Sequence, residues 1–216
     1  MTDSSFHRLA LLSLPLLFGA CSYSAPIEMS ASYNVKSSYE EKVPGNWALW
    51  VDSSEFVNNN VSPKTHLCSA HSFPIDARAV FEKSAINTFA NITENIERVD
   101  NPIPGSSLKA QGFDGQIVIE SQDMDVDLIF VPGFWTAKTE AEVEYEASLT
   151  ATVGSTKVIG TTVSAEGEYS NDAAGACEGG ATAIGEAAGE GMQKKLKRLG
   201  EAFASSTRLR DALKNQ

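Results

Sequence analysis

From Ala141 to Val153 the chain alternates without a break. Ala141, Val143, Tyr145, Ala147, Leu149, Ala151 and Val153 take the odd positions, and Glu142, Glu144, Glu146, Ser148, Thr150 and Thr152 the even ones. Successive side chains on a strand point to opposite faces, so this stretch builds a surface with one apolar and one polar side. A doubly wound parallel sheet is covered on both faces and has no place for the polar side, whereas an antiparallel sheet with one wet face does. The turn-forming Gly154-Ser155-Thr156 leads into a second stretch, Lys157 to Tyr169, which reads as the partner strand of a hairpin. The row Glu142, Glu144, Glu146 then reads as a solvated face with edge protection, and cation binding is the sharper alternative.

The other elements follow from weaker signals. Trp47 to Val51 and His66 to Phe73 read as strands, the second closed by Pro74, and Asp76 is placed to cap a helix. That helix runs from Ala77 to Glu97, because Val80, Phe81, Ala85, Ile86, Phe89, Ile92 and Ile96 recur at spacings of three and four. Asn101-Pro102 and Pro104-Gly105 end it, and Ile117 to Ile119 and Met124 to Val131 read as two strands around a polar break. Ile184, Ala188, Met192, Leu196, Leu199 and Phe203 give a second amphipathic helix over Ala181 to Ala204, with Lys194, Lys195, Lys197 and Arg198 toward its end, where cations suit the helix dipole. A short helix over Thr207 to Lys214 completes the chain. The expected fold is α+β in two layers: a mainly antiparallel sheet with two amphipathic helices packed on one face.

Composition limits the partners. The 216 residues suit a single domain. Seventeen Lys and Arg against 28 Asp and Glu leave a net charge of −11, which argues against nucleic acid held by bulk charge.

The run Leu9 to Phe18 is apolar but too short to cross a bilayer, which takes about 20 helical residues. It ends in Leu17-Phe18-Gly19-Ala20-Cys21, which resembles the lipobox of bacterial lipoproteins. That resemblance implies cleavage before Cys21 and acyl chains such as palmitate on the new N-terminal cysteine, a covalent lipid being the one non-protein group expected. Ser22 after the cysteine, rather than Asp, implies the periplasmic face of the outer membrane. The organisation expected is a signal peptide over 1–20, a lipidated N-terminus with a flexible, Ser-rich linker over 21–45, and one periplasmic α+β domain over 46–216.

Once Cys21 is lipidated, Cys68 and Cys177 remain as an even pair in an oxidising compartment. A disulfide is the favoured reading, with two separate buried thiols as the alternative. A third reading adds the flanking histidines, so that His66, Cys68, His71 and Cys177 form a Cys₂His₂ metal site. The standard spacing is absent, and on a strand His71 faces away from His66 and Cys68. Gly175 to Gly180 lacks the Gly-Lys-Ser/Thr of a phosphate loop and carries Glu178. Phe134 and Trp135, after Pro132-Gly133, read as a core plug, with partner docking as the alternative. No catalytic constellation stands out.

The lipobox, an early strand, an amphipathic helix, a long alternating hairpin and a C-terminal helix ending in a short arginine-bearing turn together resemble, over 46–216, the layout of the YajG-like lipoproteins. The resemblance implies a non-enzymatic lipoprotein of the bacterial cell envelope, binding a protein partner or supporting envelope assembly or export. The alternative is a periplasmic metal-binding protein.

Overall fold

The structure is a computed structural model that describes residues 21–134, 136–173 and 177–215. Along the chain lie β1 (Val43–Asp52), β2 (Val57–Asn58), β3 (Ile75–Asp76), α1 (Arg78–Ile92), β4 (Thr93–Arg98), β5 (Gly115–Val131), β6 (Lys138–Val153), β7 (Thr156–Asp172), α2 (Gly179–Ala204) and α3 (Thr207–Lys214). The main sheet has the order β4-β1-β5-β6-β7, and β2 pairs with β3 apart from it. β5, β6 and β7 are antiparallel, while β1 runs parallel to both neighbours. The fold is α+β, with the helices packed against the sheet.

The alternation in β6 does what its pattern requires. From Ala141 to Val153 every odd residue is buried, and Tyr145 is fully so. Those side chains meet the helix layer. Phe56 stands edge-on to both Phe81 and Tyr145, at 4.7 and 4.9 Å between ring centres, and Phe203 of α2 stands edge-on to Trp47 at 5.0 Å. α2 lies close over the hairpin because Gly191 faces Gly167, where a Cβ would run into backbone.

Three sequence expectations are corrected. The first helix stops at Ile92. The Thr93 hydroxyl donates to the Phe89 carbonyl at 2.8 Å, the backbone turns extended, and Thr93–Arg98 pairs in parallel with β1 in place of another helical turn. The polar break in β5 does not separate two strands; it is a bulge between Ser121 and Asp123 within one. The buried Ser121 hydroxyl accepts the Glu55 amide at 3.1 Å, which gives the bulge its tertiary partner. The strand expected over His66 to Phe73 is a series of turns, with Cys68 in the left-handed region at φ 61°.

The segment 21–42 also departs from the flexible linker expected of it. It is laid as an extended strap across the helix layer. Ser22 bridges to Ser72, the Ser30 amide donates to Ser84 Oγ at 3.0 Å, and the Ser32 amide donates to Thr88 Oγ1 at 2.9 Å. Further on, the Ser37 hydroxyl donates to the Ala204 carbonyl, and the Arg210 guanidinium lies 3.9 Å from the centre of the Tyr39 ring. Gly185 leaves room for Pro26, where a Cβ would strike the strap backbone. The polar composition that reads as solvated chain supplies small residues whose amides find hydroxyl acceptors on α1.

Candidate functional site

The chemistry-bearing residues gather at one end of the sheet, where β5 ends, β6 begins and β7 ends. Cys21 opens the strap there. Its carbonyl accepts the Ser72 amide at 3.4 Å, and the Tyr23 amide donates to the Ser72 carbonyl at 2.9 Å, so the chain joins the folded body within two residues of the thiol. Cys21 is exposed and is the free cysteine of the described chain.

Cys68 and Cys177 are bonded to each other, with their Cα atoms 5.6 Å apart and 109 residues between them in sequence. The bond staples the 66–71 turns to the start of α2. Beneath it, Phe73 stacks between Tyr23 and Phe130 at 5.8 and 6.0 Å, and Gly180 fits against the Phe73 and Phe130 rings. The Lys64 amide donates to the Leu128 carbonyl at 2.8 Å, tying the same turns to β5.

The metal-site reading does not hold at these residues. Both sulfurs lie in the disulfide, so neither offers a thiolate to a cation. His66 is exposed in a turn, while the half-buried His71 lies 5.4 Å, ring to ring, from Tyr23. Among the described residues no three His, Cys, Asp or Glu side chains converge as a metal site.

The core-plug reading of Phe134 is corrected as well: the ring is 89% exposed, at the turn between β5 and β6. That turn follows Pro132-Gly133, after β5 ends at Val131 and before the ladder resumes at Lys138. Trp135 lies outside the described residues.

The outer face of the hairpin sheet is acidic toward this end. Cross-strand register sets Asp127, Glu142 and Glu168 in one row and Asp125, Glu144 and Glu166 in the next. Burial raises the Glu142 carboxyl above its ordinary range, and Glu166, Asp127, Glu168 and Glu144 push it the same way. Lys64 pairs with Asp127, and Lys138 with Glu140 at 2.8 Å. An open groove of about 490 Å³ borders the patch, lined by Asp127, Glu140, Glu142, Glu168 and Tyr169 among others.

One buried group was missed in the sequence. Lys195 of α2 is fully buried, its ammonium donating to the Tyr145 carbonyl at 2.7 Å and to the Val163 carbonyl. Burial pulls its pKa down to about 7, with Arg198 acting the same way and Glu146 and Glu144 opposing. A lysine with so low a pKa would suit nucleophilic chemistry in a cleft. Here the amine faces the interior of the fold, so it braces α2 on the hairpin. The sequence does carry a signal for it: Lys195 stands three residues after Met192 and four before Leu199, on the apolar stripe itself.

No family model matches the sequence, and no curated protein matches it. Solved structures similar to it include protein XCC0632 from Xanthomonas campestris, described under the family model DUF330, at 11% identity over 91% of this chain and 99% of that one, with a TM-score of 0.42. A putative neuraminyllactose-binding hemagglutinin homolog from Helicobacter pylori is similar at 11% identity over 88% and 98%, with a TM-score of 0.40. The hypothetical protein CT253 from Chlamydia trachomatis is similar at 9% identity over 74% and 96%, with a TM-score of 0.31.

Proposed function

We propose that the chain is a lipid-anchored, non-enzymatic lipoprotein of a bacterial cell envelope, held by acyl chains on Cys21 at the periplasmic face of the outer membrane. Its role there is that of a protein-binding or accessory component of envelope assembly or export. One observation carries the reading: the cysteine that ends the lipobox-like segment is exposed and free, while the other two cysteines are bonded to each other. A disulfide that closes most of the domain suits an oxidising compartment, where it persists. The bonded sulfurs also leave a lipid-transferring enzyme no competing thiol.

The test is the intact mass of protein extracted from membranes, with and without reductant, followed by alkylation. The expected result is a chain beginning at Cys21, carrying acyl mass, that takes up alkylating agent only after reduction and then at two sites. A chain that retains residues 1–20 and alkylates at Cys21 without reduction removes the lipoprotein reading. A Cys21→Ser variant is expected to leave the membrane fraction while keeping its fold.

A further inference from the structure

The strap follows a path shaped to its main chain. It runs along α1 and α2 in the direction of both. Pro26 lies at Gly185, Ser30 at Ser84 and Gly189, Ser32 at Thr88, and Val35 at Gly200, while the Asn91 side-chain amide donates to the Tyr33 carbonyl at 3.2 Å. The three nearest atoms that a Cβ on Gly185 would meet all belong to Pro26. Glycine is a poor helix residue, so α2 gives up helix propensity at the points where the strap passes.

Yet the strap is thinly held. Between residues 22 and 42 only Ala31 and Ser32 are buried. The Tyr23 and Ala25 amides donate to the Ser72 and Pro74 carbonyls at 2.9 and 3.0 Å, and the Ser30 and Ser32 amides each meet a single hydroxyl. β6, by contrast, has a strand on each side along its whole length. Ordering a residue costs backbone entropy that burial must offset, and a segment with so little burial opens locally, well below the free energy of global unfolding.

We propose that the strap is a releasable latch that sets how far the domain stands from its anchor. Docked, it holds Cys21 against the body at Ser72. Tension on Cys21 loads the bonds in chain order, at Tyr23, Ala25, Ser30 and Ser32, so the latch peels from the anchored end. Released, a chain of about 20 residues spans roughly 25 Å root mean square and at most about 70 Å. The domain left behind keeps its core, to which the strap contributes Ala31 as its one buried apolar residue. Control of reach rests on the lipoprotein reading and deepens it; local release does not depend on it.

Two variants of the full chain move the latch in opposite directions. Gly185→Ala raises helix propensity and fills the space at Pro26, so it evicts the strap without weakening α2. Ser30→Cys with Gly189→Cys holds the strap down, since a Cβ on Gly189 would stand 3.0 Å from Ser30 Oγ, within reach of a disulfide. Intact mass with and without reductant reports that bond and the acyl groups. Amide hydrogen exchange reads release, and neutron reflectometry on a supported phosphatidylethanolamine bilayer reads the gap between headgroups and domain.

In the parent, the Tyr23, Ala25, Ser30 and Ser32 amides are expected to exchange at least about tenfold faster than those of β6, and in Gly185→Ala about tenfold faster again with β6 unchanged. The gap is expected to be wider in Gly185→Ala than in the cross-linked variant by about 10 Å, because the cross-link leaves only the chain before residue 30 to peel. Strap amides that exchange no faster than β6 overturn the latch, and so does an equal acceleration of β6 in Gly185→Ala. Fast strap exchange with equal gaps in the two variants overturns control of reach. An unacylated chain overturns the lipoprotein reading and the reach with it, while exchange still decides the latch.

Discussion

Lys195 illustrates how a single residue can resist a periodic reading. Three neighbouring cations place the run Lys194-Lys-Leu-Lys-Arg198 on the wet side of α2, yet only four of its five residues are polar, and the spacing from Met192 to Leu199 passes through Lys195. Its burial has a pH consequence. In the folded protein the amine titrates near 7, and in the unfolded chain near 10.5. Between those values the unfolded state binds more protons, so this group makes stability rise with pH across that window. Glu144 and Glu146 temper the effect and Arg198 adds to it. Chemical denaturation of Lys195→Met at several pH values inside the window is expected to give a flatter dependence than the parent. Identical slopes would mean that Lys195 does not titrate there. The cysteines were the easier residues to read, because once Cys21 is set aside the remaining pair has one partner choice. Phe134 was harder, since a Pro-Gly turn fixes neither which way its neighbours point nor whether another element covers them.

Among the elements, the strap and β4 are not legible in the sequence for one reason: local composition says little about backbone partners supplied from far away in sequence. Ser32 is buried, and its amide depends on a hydroxyl 56 residues distant. Thr88→Val keeps the shape and removes that acceptor. Leaving a buried amide unsatisfied costs about 1–3 kcal/mol, so the variant should lose that much in denaturant unfolding and become open to limited proteolysis between 26 and 36. A strap cut no faster than in the parent would show that the bond does not hold it. β6 was read correctly because its signal is internal: the odd residues are apolar whatever lies above them. Its even residues have a cost that the hairpin pairing exposes. Glu142 stands between Asp127 and Glu168, and like charges directly opposite are destabilising. Glu142→Gln is expected to raise stability by about 0.2–1 kcal/mol, and added salt should stabilise the parent more than the variant. If the variant unfolds earlier than the parent, the carboxylate is doing something other than facing water.

At the scale of the molecule, the α+β class and the single layer of helices followed from one rule applied to β6 and α2, and the parallel pairing of β1 could not. Parallel neighbours need a crossover, and the crossover here is α1 turning straight into β4, whose strand character becomes favourable only beside β1. The cluster around the Cys68–Cys177 bond is likewise a product of assembly, since Cys21, the 66–71 turns, the β5–β6 turn and the start of α2 are distant in sequence. The Cys68–Cys177 bond joins three of these parts directly or through one neighbour, and closing a loop of 109 residues restricts the unfolded chain by about 4–5 kcal/mol in the chain-entropy model. The Cys68→Ser, Cys177→Ser double variant should therefore unfold at markedly lower denaturant than the parent. Its loss should also be uneven. The β5–β6–β7 ladder is held by its own register and by α2, whereas the Ser22–Ser72 bridge depends on turns that the bond pins, with Cys68 in a left-handed conformation that favours opening once released. Hydrogen exchange of the double variant should show early loss of protection at Tyr23 and Ala25, with β6 retained. Uniform loss across the sheet would mean instead that the staple sets the stability of the whole domain.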